Sequence, residues 1–251
     1  MAVGRQAVLG SLSLLGIIAA WDSLGYLGVL DTELFPPVTR ILARAWELIV
    51  DGEFISRDVL SSMKRLAAAS AVSIPIAVIA GAIVGAFSWA RAAVGPFINF
   101  TMPLPKVAIF PLMLAIFGVG DMGKIVLICI GFFYPLFVNV LNGTLKIRNS
   151  EYMDLAHVYG IRGKRLIWDV FAKGIQLDVL SGLKTSFGYG FTLVVVSELT
   201  ASQNGIGNFV WRSWDAYQIL DMYAGIFWLC FLGWTVQSLL DWRIARSLKR
   251  S

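Results

Sequence analysis

A chain of 251 residues that is 57% hydrophobic and only 15% charged, with mean hydropathy +0.73, is too apolar to be a soluble domain of that length. Its net charge of +5 is no nucleic-acid signature, because the 21 Lys and Arg flank apolar stretches and no separate basic and aromatic groove stands apart from them. What remains is a set of helices in a bilayer.

Residues 6–21, running on toward Leu30, form the first apolar segment. No small-residue cleavage site follows its leading Arg5, so it reads as a retained helix and not as a signal peptide. Residues 31–58 come next, broken by Pro36-Pro37. Ile41, Leu42, Ala45, Trp46 and Ile49 then recur at helical spacing, which predicts an amphipathic helix lying on the outer surface. Residues 66–90 carry no charge over 25 positions, residues 125–145 none over 21, and residues 222–240 none over 19. At about 1.5 Å per residue each can cross a hydrocarbon core of about 30 Å. Two further spans are interrupted: residues 92–119 by Lys106, and residues 185 to about 201 by Glu198. The prediction is an all-α integral membrane protein of six transmembrane helices. Residues 1–64 would hold the first helix and the external amphipathic one, and residues 65–251 a five-helix core with a cytoplasmic loop at 146–182.

That loop is the only long basic insertion between spans. Ser150 is placed to cap a short helix whose first turn carries Glu151 and Asp154, where the helix dipole favours acids. Leu155, Ala156 and Tyr159 share one face, Gly160 supplies a break, and a second basic helix is expected near Arg162. A compact helix–Gly–helix of this kind offers a knob for another protein to push on. Lys and Arg also orient the chain. With both termini inside, thirteen lie on the inner side, including Arg5, Arg91, Arg243, Lys249 and Arg250, against seven outside, with Lys106 at membrane depth. His157 and Lys249 are then cytoplasmic and Asp51 external.

The inventory of reactive groups argues against catalysis. His157 is the single histidine, so a two-histidine metal site is impossible, and a Ser-His-Asp triad would have to rest on a solvated loop residue without GxSxG. There is no GxxxxGK[ST] phosphate loop, so any ATP chemistry must come from another chain. Cys129 and Cys230 lie in apolar spans without metal-ligand spacing and read as buried structural thiols. Lys106 and Glu198 are the ionisable groups at membrane depth, where burial costs a few kcal/mol and marks a partner or a pathway. Both are candidates for the wall or gate of a solute path. The plainer alternatives are snorkelling for Lys106, which sits among Pro103, Pro105 and Pro111, and an outer-end ion pair or cap for Glu198. Gly182, Gly188 and Gly190 suit close helix packing, and Trp211, Trp214, Trp228 and Trp242 suit membrane-interface belts.

From Phe35 to Arg212 the order of motifs resembles the membrane permease subunit of ATP-binding-cassette importers, in the branch handling nitrate, bicarbonate, taurine and sulfonates. LFPPVTRIL is similar to the family's entry to the outer helix, and SSMKRLAAA to its Ser-Leu-x-Arg start of the second span. PLPKVAIFPLMLAIFGVGDMGK follows the proline-rich third span and the Phe-Gly-x-Gly-x-x-x-Lys turn. Asp154 to Gly160 matches the Glu-Ala-Ala-x-x-x-Gly signature, and SGLKTSFGYGFTLVVVSELTASQNGIG keeps Gly-Leu-(Arg/Lys), Ser/Ala-Glu and Gly-x-Gly in order. The chain departs from the family after Val170, where Ala172 and Lys173 replace Leu-Pro and Leu177 replaces a second proline. The helix entering the fifth span is therefore expected to be smoother or longer. The resemblance implies the type I importer fold, with a second copy of the chain, two cytoplasmic ATPase subunits holding ATP and Mg, and an external solute-binding protein as partners. It places the chain in a bacterial inner membrane. It also implies that Asp154, Leu155, Ala156, Tyr159 and Gly160 dock the ATPase, that this chain carries no cofactor, and that the solute is a small anion. A non-transporting scaffold that keeps the fold is the alternative.

Overall fold

The computed structural model describes residues 2–248, with side chains described except at 2–8, 11, 14, 157, 201, 247 and 248. The expectations for Arg5, Lys249, Arg250 and the His157 side chain lie outside the described residues. Within them the chain is helical throughout, without a strand. Helix α1 (Ala2–Tyr26) takes the place of the expected first span, and α2 (Val38–Val50) starts immediately after Pro36-Pro37. The start of α2 is tied to α1: Val38 N donates to Asp22 Oδ1 at 2.8 Å, and Trp21 Nε1 to Pro36 O at 3.2 Å. A carboxylate from the preceding helix thus satisfies one of the amides that a helix start leaves open.

A π-helical turn, Phe54–Val59, leads into α3 (Leu60–Ala86). Helices α4 (Ser88–Thr101) and α5 (Phe110–Phe117) are joined through the 3-10 turn Lys106–Ile109 and bent by 90°. Then come α6 (Asp121–Arg148), α7 (Glu151–Val158), a π-helical turn Leu166–Ala172, α8 (Gln176–Ala201), α9 (Ile206–Asp215) and α10 (Ile219–Leu248). Among the described residues, four stretches are long and apolar enough to cross a membrane: Phe54–Ala86, Asp121–Arg148, Gln176–Thr200 and Ile219–Arg246. The bent α4–α5 pair makes a fifth if counted as one span, against the six expected, and α1 is not among them. The helix entering α8 is nearly continuous from the π-helical turn onward, as the missing prolines predict.

Helix α6 is the centre of the bundle, packed between α3 and α8. Lipid tails give apolar helices no reason to associate, so close backbone approach must hold them together. Glycines permit it. A Cβ at Gly81 of α3 would stand 2.8 Å from Phe137 O, and one at Gly182 of α8 would stand 2.9 Å from Leu136 Cδ1. Gly190 meets Phe132 in the same way, whereas a Cβ at Gly188 would touch only the Gln237 amide at 3.4 Å. Leu127, Ile128, Phe132, Leu193 and Val194 fill the layer around Leu66, Phe110 and Met113. Gly81→Leu is expected to force α3 off α6 and cost about 1–3 kcal/mol or more, read as a lower unfolding temperature of the purified protein in detergent.

The structure corrects two expectations here. Helix α2 buries Ile41, Ala45 and Leu48 against α10, and Trp228 Nε1 donates to Ala45 O at 3.0 Å. Leu42 and Trp46 point outward instead, because the apolar face wide enough to be read from spacing is wider than the stripe the neighbouring helix covers. Arg44 fixes the docking through Asp221 at 2.5 Å and is steadied by Glu47 of its own helix at 2.9 Å, and the Asp221 bond, then the Glu47 bond, holds its guanidinium above the usual range. Cys230 is exposed on α10, not buried, while Cys129 is half-buried with Sγ 3.5 Å from Ala69 O.

Candidate functional site

Three places carry the polar chemistry of the bundle: the end bearing α7, the break between α4 and α5, and the opposite end bearing α2 and α9. At the first, α7 forms over Glu151–Val158 with Glu151 and Asp154 in its first turn. Gly160 ends it with φ +67°, a left-handed conformation that L side chains rarely adopt. Ser150 does not cap it. The Ser150 hydroxyl donates back to Ile147 O at 2.7 Å, and only its carbonyl serves α7, accepting from Met153 N at 3.0 Å.

The face of α7 also differs from the expected one. Ala156 is buried, at 3% exposure, and seats the helix on its own chain, whereas Leu155 and Tyr159 stand out to solvent. Tyr152 and Val158 stand out with them, at 68% and 81% exposure; Tyr152 shares the helical spacing of Leu155 and Tyr159, whereas Val158 lies off it. Tyr152, Leu155 and Tyr159 face an open cleft of about 830 Å³ between α7, the Leu166–Ala172 turn and the end of α10, with Asp169, Lys173, Arg243 and Arg246 on its far walls. Ala156→Asp is therefore expected to dislodge α7 from its own bundle. The measurable result is faster proteolysis of the loop in the isolated chain, with no partner present.

At the break, Lys106 turns back onto the end of α4. Its ammonium donates to Thr101 O at 3.0 Å and Met102 O at 2.6 Å, and stands 4.5 Å from the Tyr134 ring centroid. Pro103 and Pro105 remove the amides that would continue the helix, so carbonyls are left for the lysine to take. A cavity of about 520 Å³ opens here, walled by the break and by residues of α6 and α8.

The opposite end holds the most polar interior of the chain. Glu198 is fully buried; its carboxylate lies 2.8 Å from Ser62 Oγ through both oxygens, and accepts from Arg65 Nη1 at 2.7 Å and from Gly207 N at 3.0 Å. Arg65, also buried, reaches Asp121 Oδ1 at 2.8 Å and the side chain and carbonyl of Asn204. Ser62 Oγ accepts from Ile206 N at 2.9 Å, and Asp58 accepts from Gly205 N at 3.0 Å with Arg212 3.6 Å away. Lys124 donates to Ser202 Oγ at 3.0 Å and lies 3.7 Å from Asp121. Buried charges persist only when paired and hydrogen-bonded, and here Arg65, Lys124 and Arg212 face Glu198, Asp121 and Asp58. Gly205 has φ +111°, and a Cβ there would fall on the Glu198 carboxylate.

The structure thus puts Glu198 in an ion pair and cap, and not on the wall of the Lys106 cavity. Four separate strings meet at it: SSMKR, FGVGDMGK, SEL and NGIG. Arg65 and Lys124 were legible as members of those strings but not as partners, since Arg65 and Glu198 lie 133 positions apart.

Comparison with known proteins bears on the chain as a whole. Residues 73–247 match the family described as binding-protein-dependent transport system inner membrane component. A permease assigned to aliphatic sulfonates transport in Bacillus subtilis (strain 168) is 26% identical over 235 residues, covering 90% of this chain and 84% of the relative. The taurine transport system permease protein of Escherichia coli (strain K12) is 24% identical, covering 89% of this chain and 82% of its own length. The nitrate import permease protein of Synechococcus elongatus is 22% identical, covering 90% and 84%.

Proposed function

The chain belongs to the binding-protein-dependent transport inner-membrane components, the type I importer membrane fold, and on that premise we propose that it is the permease of an importer for a small anion. Two copies pair around a solute path, two ATP-binding-cassette ATPase subunits bind at the α7 end, and an external binding protein delivers the solute to the other end. ATP and Mg are held by the ATPase; this chain is not an enzyme and supplies the path and the coupling. The observation that carries the reading is the α7 knob: four apolar side chains, Tyr152, Leu155, Val158 and Tyr159, stand exposed on the one long polar loop between spans. Exposed apolar clusters rimmed by polar residues mark docking surfaces. Asp154 and the Gly160 turn set the ends of that surface, and Ala156 holds it to the bundle.

The names of the relatives, which specify sulfonates, taurine and nitrate, support a solute bearing an oxoanion group. Lys106 lies along the solute path at the helix break. Glu198, through Arg65, fastens α3, α6, α8 and α9 at the outer end and so sets the frame against which an outer gate closes.

Orientation is tested first. With single cysteines placed in a background lacking Cys129 and Cys230, position 51 is expected to react with an impermeant reagent added outside, and position 159 only after permeabilisation. External labelling at 159 overturns the topology together with the docking surface. Coupling is tested by ATP hydrolysis of the copurified complex. A chain that neither recruits an ATPase nor alters its turnover is a scaffold and not a permease.

A further inference from the structure

We propose that the cavity at the α4–α5 break is a binding site for a small, singly charged oxoanion in transit, with the Lys106 ammonium as its counter-ion; the proposal rests on the permease reading and adds where and how the solute is held. The charge balance at membrane depth comes first. Arg65 and Lys124 each face a carboxylate within 4 Å, whereas Lys106 has none among the described residues. Its two hydrogen bonds go to the last carbonyls of α4, whose dipole carries only about half a unit of negative charge. One N–H and a net positive charge remain. A cation left so in a span calls for a mobile partner.

The walls fit an anion. No Asp or Glu lines the cavity, so a cation would meet Lys106 and nothing to hold it. Asn139 uses one amide proton on Pro135 O and keeps the other, and Tyr189, 57% exposed, brings a hydroxyl. Thr185 and Thr192 donate along α8 to Ser181 O and Gly188 O, each at 3.1 Å, and a hydroxyl in such a bond can turn to a ligand. Tyr134 does not donate: its proton goes to Thr101 Oγ1 at 2.6 Å, and its ring face steadies the ammonium. A volume of about 520 Å³ admits a small solute together with much of its hydration shell, and one lysine balances one negative charge, which favours a monovalent sulfonate, nitrate or carboxylate over a doubly charged ion. Thr185, Tyr189 and Thr192 also border a second cavity of about 560 Å³ that extends to Lys184 and Asp241, so the site opens toward the α7 end.

The experiment needs no knowledge of the natural solute. Thr192→Cys is made in the full chain with Cys129 and Cys230 replaced, in complex with its ATPase. The rates of modification by an anionic (sulfonatoethyl) and a cationic (trimethylammonioethyl) methanethiosulfonate are compared. The anionic reagent is expected to react faster by on the order of 10-fold or more, Lys106→Arg should keep that preference, Lys106→Gln should abolish it, and methanesulfonate or nitrate should slow the reaction. Equal rates, a preference indifferent to Lys106→Gln, or no reaction in any nucleotide state overturns the site. Coupled ATP hydrolysis by the same complex is measured in parallel. Coupling without the preference sinks the cavity and leaves the permease, while the preference without coupling sinks the permease reading alone.

Discussion

Arg65→Met is expected to lower the unfolding temperature of the purified chain more than any other single substitution at the α9 end of the bundle. The change leaves Glu198 fully buried with its cation gone and takes a donor from Asn204 as well, while the exposed Asp121 keeps Lys124. Breaking a buried pair from one side costs about 3–5 kcal/mol, because the remaining charge stays desolvated. For a chain of this length that is a drop of roughly 6–20 °C. Glu198→Gln should cost less, since Ser62 and Gly207 keep an oxygen to bond and Arg65 keeps Asp121. In the double variant Arg65→Met with Glu198→Gln, much of the loss should return, as no unpaired charge remains. Strict additivity of the two single effects would mean that they do not interact.

The second large effect concerns coupling. Leu155→Asp and Tyr159→Asp place carboxylates on the exposed face of α7 without touching its seat, which rests on Ala156. Each should reduce permease-dependent ATP hydrolysis about 30-fold or more, the loss expected when a docking residue worth about 2 kcal/mol is removed. Insertion and thermal stability of the isolated chain should not change. Gly160→Val differs in kind. A Cβ there meets nothing within 4 Å in the chain, so the cost comes from φ +67° alone, about 1–2 kcal/mol of strain at the turn. Normal coupling in both aspartate variants would move the contact elsewhere in the loop.

What could be read from the residues follows the range of the interactions. The uncharged runs set the long helices directly, since a bilayer demands continuous backbone bonding. The α7 helix and its glycine turn were legible because dipole and left-handed φ are local effects, whereas the expected Ser150 cap was not formed. The direction of Ala156 was not: residues 155, 156 and 159 share a broad face, and only the packing of α7 onto its own bundle decides which of them turns inward. Helix α9 and the face of α2 covered by α10 have the same cause. Glu198 was visible as a costly charge, yet its partners come from helices far away in sequence, and no periodicity reports them. The broken span was foreseen at its three prolines. The cavity beside Lys106 was not, because its far wall is built by α6 and α8.

The most direct test of the central claim is the initial rate of ATP-dependent uptake into proteoliposomes containing this chain with its copurifying ATPase and binding protein. Taurine, methanesulfonate and nitrate are the solutes offered. Uptake of at least one of them that requires ATP, and that is lost in Leu155→Asp and Tyr159→Asp while both chains still assemble in the membrane, is the predicted result. ATP hydrolysis at a rate indifferent to this chain, with no solute entering, would contradict it.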